Sequence, residues 1–155
     1  MRLVDPDNRR PVDYAERQQT LARLEKGGPL VPWNGNIAGE AKLWLIRSAL
    51  HLRKRQPESF SAGGTYRPIY ADGPEAQHVV SFERGTAVVT VVPRLQFQRA
   101  VSVATTLDLP DGSWRDVMTG HSWTGRVSLP ELWRGFPVAI LERELPVDQP
   151  EEYGK

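Results

Sequence analysis

The sequence has no cysteine, almost no net charge and no long apolar run, and each shortage closes off a class of protein. Without thiols there are no disulfides and no thiolate metal sites, a composition that suits a reducing compartment. Twenty Lys and Arg against nineteen Asp and Glu leave a formal net charge of +1, too balanced for the field that nucleic-acid binding requires. No stretch approaches the roughly 20 apolar residues of a membrane span. The N-terminus has Arg2, Asp5, Asp7, Arg9 and Arg10 where a signal peptide would be apolar. A soluble, cytoplasmic protein without nucleic-acid or membrane partners is expected. The histidines, His51, His78 and His121, lack ligand-like spacing, so no metal site is expected. Hydrophobic residues make up 39% of the 155 residues, enough for a core but not a generous one.

What is present divides by period. The first 60 residues read as helical and the remainder as β. Asp13 is a helix cap, with Glu16 three positions on completing a capping-box arrangement, and Tyr14, Leu21 and Leu24 recur at helical spacing. This predicts a mostly exposed helix over Asp13–Lys26, stopped by Gly27 and Gly28. A second helix is predicted over Ala38–Gln56. Its Leu43, Trp44, Leu45, Ile46, Ala49, Leu50 and Leu52 occupy more than a narrow stripe, so a wide buried face is expected. Glu40 at one end and Arg53, Lys54 and Arg55 at the other complement the helix dipole, and Pro57 closes it.

Beyond Gly64, His78–Arg84 and Thr86–Val92 flank Gly85 as a hairpin. Ala100–Leu107 alternates in polarity, Asp111–Gly112 marks a turn, and Trp114–Met118 is a short strand. A turn region over Gly120–Gly125 precedes strands over Arg126–Leu129 and Pro137–Arg143. Short strands at this spacing predict an antiparallel β-sandwich, giving an α+β chain. The expected units are residues 1–60, helical; 61–145, the β domain; and 146–155, a frayed tail.

The densest chemistry lies in Asp5-Pro-Asp-Asn-Arg-Arg-Pro-Val-Asp13: three carboxylates, one amide and two guanidinium groups between rigid prolines. Such a stretch is either a solvated turn ahead of a helix cap or a polar surface aimed at a ligand. Arg donors beside Asp acceptors match the paired hydroxyls of sugars. Read on as Leu3-Val-Asp-Pro-Asp-Asn-Arg-Arg-Pro-Val-Asp-Tyr14, it resembles the segment after the last barrel strand in the maltooligosyltrehalose synthases of the α-amylase superfamily. Ala41–Ile46, Ala49–Arg55 and then Pro57–Phe60 resemble that family's closing barrel helix and the turn behind it. Gly64–Ile69, His78–Phe82, Val92–Leu95 and Trp114–Gly120 resemble its C-terminal β domain.

The resemblance implies the end of a TIM barrel followed by the terminal β domain of a glucosyl-transferring mutase that needs no cofactor. Its substrate would be a maltooligosaccharide, whose reducing-end α-1,4 linkage becomes α,α-1,1. Retaining chemistry of this kind needs two carboxyl groups about 5 Å apart. The resemblance puts the nucleophile, the acid/base and the third acid on barrel strands upstream, with no matching positions here. No catalytic residue is therefore expected, and the chain alone is expected to be inactive. Asp5, Asp7, Asn8, Arg9 and Arg10 would form part of the substrate-binding rim, against the barrel as partner.

Two other readings stand beside this one. One is a free-standing carbohydrate-binding module. The other is an interaction fragment whose Leu43, Leu45, Ile46 and Leu50 face self-associates or seeks a partner. Of the tryptophans, Trp44 and Trp114 are expected in the core, whereas for Trp123 and Trp133, which lie near turns, exposure stays open. Ser48 and Ser59 lack the Gly-x-Ser-x-Gly context of a nucleophile elbow.

Overall fold

The structure, a computed structural model, describes residues 13–27, 38–95 and 104–145. Three helices come first: α1 (Tyr14–Gly27), α2 (Ala38–Arg55) and the single turn α3 (Pro57–Phe60). The strands β1 (Tyr66–Ile69), β2 (Ala71–Asp72), β3 (Val79–Arg84), β4 (Val88–Pro93), β5 (Thr106–Asp116) and β6 (Ser122–Ser128) follow. A short helix α4 (Leu129–Leu132) then leads to β7 (Ala139–Arg143). The α+β class holds. The expected β-sandwich does not form: the described strands make one antiparallel, seven-stranded sheet ordered β1-β3-β4-β7-β5-β2, with β6 on β5.

The sheet is curled, and the pairing explains why. Only Tyr70 separates β1 from β2. Yet β1 pairs with β3 at one end of the strand order, while Ala71 and Asp72 pair with Leu107 and Thr106 of β5 at the other. One short extended segment thus ties both ends of the sheet into a half-barrel. A sheet bent this way fills its own concave side, so a second sheet is not required to bury it.

Each face carries a core. Inside the curl lie Val89, Val91, Leu107, Leu109, Trp114, Val127, Ala139 and Leu141, joined by Leu129 and Leu132 of α4. On the outer face Val88 and Ile140 pack with Ala41 and Leu52 of α2, together with Met118 and Phe136. Neighbours along β4 and β7 therefore serve opposite cores, which is why these strands read as nearly continuous apolar runs.

The hairpin turn at Gly85 forms as expected. Its φ of +57° is the left-handed region, and an added Cβ would lie 2.6 Å from the Ser59 hydroxyl. Asp111–Gly112 is not a turn between strands but an irregularity inside β5. There five residues from Asp108 to Ser113 advance against only two of β6, Arg126 to Thr124. The excess is odd, so facing inverts across it, and Leu107, Leu109, Trp114 and Asp116 all point inward. Gly112 carries the distortion at φ +112°, where a Cβ would meet Arg143 Nη1 at 2.7 Å.

Other boundaries move. The turn placed at Gly120–Gly125 lies at Val117–His121, and β6 begins at Ser122. Of the strand read at Ala100–Leu107, only residues from Ala104 onward are described; the tail 146–155 lies outside the described residues. Among the described residues no helix is long and apolar enough to cross a membrane.

Candidate functional site

Helix α1 starts as its sequence dictates. The Asp13 Oδ1 accepts the Glu16 backbone N–H at 2.9 Å, satisfying one of the donors that a helix start leaves unpaired. Only Leu24 of its side chains is fully buried. Ion pairs from Arg23 to Glu40, and from Arg47 Nε to Glu25 at 3.3 Å, hold α1 to α2. Between the two helices lies a cleft of about 230 Å³ lined by Asp13, Glu16, Arg17, Thr20, Gly39, Glu40 and Leu43. Its polar lining holds three carboxylates, one guanidinium and one hydroxyl, and two of the carboxylates are engaged, Asp13 with the Glu16 N–H and Glu40 with Arg23. Asp13 and Tyr14 end the family-like run, and they are its described part. Asp5, Asp7, Asn8, Arg9 and Arg10 lie outside the described residues.

A second carboxylate in a family-like motif proves to be architectural. Asp116 is fully buried; its Oδ1 accepts the Met118 N–H at 3.0 Å and its Oδ2 the Thr119 hydroxyl at 2.6 Å. Desolvation pushes its carboxyl above the ordinary range, against those hydrogen bonds. With no exposed surface it cannot meet a substrate, and it shapes the turn into β6. Arg143 likewise supports β5. Its Nε donates to the Thr86 carbonyl at 2.6 Å, its Nη1 donates to the Asp111 carbonyl, and its guanidinium lies 4.4 Å from the Trp114 ring centroid.

The seam between α2 and the sheet is polar at its rim. Arg55 donates to both oxygens of Glu142, at 3.2 and 2.6 Å, and Gln56 Nε2 adds a bond at 3.0 Å. Desolvation pushes the Glu142 carboxyl up, but these donors outweigh it and hold the group below its ordinary value. Trp44 Nε1 donates to the Met118 carbonyl at 3.2 Å.

The wide buried face expected of α2 is narrower than its sequence suggested. Leu52 is buried, and Trp44, Leu45 and Ala49 pack against the outer core. Ile46 and Leu50 instead remain 45% and 58% exposed. With Leu43 at the cleft they fall at i, i+3 and i+7, one outward apolar stripe. The structure also decides the tryptophans. Trp114 is buried and Trp44 packs as anticipated, but Trp123 and Trp133 are half-buried against the inner core, and Trp133 Nε1 donates to the Val91 carbonyl at 3.3 Å. No tryptophan among the described residues forms a sugar platform.

A curled antiparallel sheet with α2 on its outer face, α1 on α2, a polar cleft between the two helices and an exposed apolar stripe on α2 defines an α+β unit. Comparison with known proteins identifies what it is related to: the chain is homologous to the C-terminal portion of maltooligosyltrehalose synthase. It is 41% identical over 144 residues to the maltooligosyl trehalose synthases of two Mycobacterium tuberculosis strains, CDC 1551 and H37Rv, covering 92% of this chain and 17% of each relative. The solved maltooligosyltrehalose synthase of Arthrobacter ramosus superposes with a TM-score of 0.75 at 36% identity, over 92% of this chain and 18% of that one. The Sulfolobus tokodaii protein superposes at 0.57 with 27% identity, over 91% and 16%. No family model matches. The chain therefore spans less than a fifth of the length of the relatives it matches.

Proposed function

We propose that this chain acts as the C-terminal part of a maltooligosyltrehalose synthase and contributes no catalytic carboxylate of its own. The enzyme it serves converts the reducing-end α-1,4 linkage of a maltooligosaccharide into an α,α-1,1 linkage. In this reading α1 and α2 close the end of a barrel that belongs to the rest of the enzyme, and the curled sheet braces them. Asp5, Asp7, Asn8, Arg9 and Arg10 line the rim of the sugar site, and Leu43, Ile46 and Leu50 are covered by the barrel. The observation that carries this reading is the pairing of 41% identity across 92% of the chain with coverage of only 17% of the relative. The open stripe on α2 supports it, because an apolar row on an otherwise packed helix is where a larger body fits.

The test is complementation. A homologous synthase lacking the portion matched here is produced with and without this chain, and loss of maltopentaose reducing ends is measured. The chain alone is expected to be silent, the truncated enzyme to regain activity when the chain is added, and Ile46→Asp with Leu50→Asp to abolish the rescue. Turnover by the chain alone, or failure of the two parts to associate, would sink the reading.

A further inference from the structure

The outer face of the segment that ties the sheet together carries chemistry that neither the cleft nor the α2 stripe uses. Ile69 and Ala71 pack against the inner core, so the residues between and before them, Tyr66, Pro68 and Tyr70, face the opposite way. All three are exposed, Tyr66 to 61% and Tyr70 to 83%. The Tyr66 ring stacks on Phe82 of β3, with centroids 4.8 Å apart and planes 29° from parallel, which holds the ring in place while leaving most of it in solvent. Four residues of extended chain set the two tyrosines about 13 Å apart.

The strip is also uncharged. Neighbouring Arg67 points to the other side, where its Nε and Nη2 donate to Glu83 Oε2 at 2.9 and 2.6 Å. Arg84 lies over the Phe60 ring at 5.3 Å and donates to the Ser59 carbonyl. The two guanidinium groups beside Tyr66 are thus already engaged, which weakens the case for an anionic polymer. A neutral chain of pyranoses fits better, since each unit offers an apolar C–H face to a ring and hydroxyls to the phenol.

We propose that Tyr66, Pro68 and Tyr70 form a glucan-binding strip separate from the reaction centre. The choice of an α-1,4-glucan among neutral polymers rests on the function proposed above. By holding a long chain elsewhere along its length, the strip raises the local concentration of that chain for the enzyme.

Titration of the full chain with maltoheptaose, followed by ¹H–¹⁵N NMR, tests the strip. Shifts centred on β1 and β3 are expected, with affinity lowered about three- to tenfold by Tyr66→Ala and again by Tyr70→Ala. Both side chains are exposed, so the variants should retain the wild-type circular dichroism and melting temperature. The proposal is overturned by no binding at about 10 mM sugar, by variants that bind as the wild type does, or by shifts confined to the α1–α2 cleft. Any of these leaves the complementation result untouched, because that assay reads the α2 stripe and not β1. If complementation fails while the strip still binds maltoheptaose, the glucan site stands and the mutase reading falls.

Discussion

The curled sheet and the helical flank bury their apolar side chains to very different extents. Inside the curl, Trp114, Val89, Val91 and Leu141 have no exposed surface, and α4 adds two more leucines. On the flank, α1 buries one leucine fully, and α2 leaves Ile46 and Leu50 about half in water. The difference lies in topology. A sheet whose ends are joined by one segment supplies its own interior, whereas α2 lies on the convex face and α1 on α2, so each helix buries only part of its surface. Stability is therefore housed mainly in the sheet, and the exposed apolar surface of the helical half lies on α2.

Substitutions can break this contrast. The largest effect is expected from Trp114→Ala, which empties the inner core, strips Arg143 of its ring partner and deletes the Nε1 bond to the Pro110 carbonyl at 2.7 Å. A loss of about 3–5 kcal/mol is expected in urea denaturation of the chain.

A smaller effect, and one of opposite sign in the two regions, comes from pH. Asp116 has its folded-state pKa raised, so its contribution is full below the ordinary carboxyl value and is lost as pH rises through the folded one. Glu142 is lowered, so the Arg55 seam contributes above the ordinary value and is lost as pH falls through the folded one. Asp116→Asn should therefore gain on the wild type as pH rises from acid to neutral. Glu142→Gln should lose on it over the same interval, by about 1 kcal/mol or less. Melting the three proteins across that range decides it, and parallel curves would refute the assignment.

The smallest effect on the isolated chain is expected from Ile46→Ser with Leu50→Ser. Each exposed side chain should change its stability by less than about 0.5 kcal/mol. A loss comparable to that of Trp114→Ala would mean the stripe already belongs to a core.

Much of the helical half was legible because its signals are local. The Asp13 cap, the charges at the ends of α2 and the Pro57 stop each act within a turn or two. The β half was harder because its decisive events join distant residues. Nothing near Tyr70 indicates that Ile69 pairs with Ser81 while Ala71 pairs with Leu107. Asp111–Gly112 has the composition of a turn, and only the β6 register shows the strand continuing through it. Trp123 and Trp133 sit beside turns but pack inward, since proximity to a turn does not decide which way a side chain faces. Tyr66 and Tyr70 share a face only because the chain is extended between them, and a spacing of four is equally that of one helix face, so their alignment depends on the strand assignment. The motif that most strongly suggested sugar chemistry, Asp5 to Arg10, lies outside the described residues.

The irregularity in β5 works like a reading frame. Its odd excess lets Leu107 and Leu109 before it, and Trp114 and Asp116 after it, share one interior despite their opposite parity in the sequence. Removing or adding one residue between Asp108 and Ser113 would turn every later side chain of the strand over, delivering Arg115 to the dry side and Trp114 to water. A change of two would keep the frame. Relatives of this sheet should therefore vary in length there in steps of two, and a single-residue deletion would act on the whole C-terminal half of β5 at once.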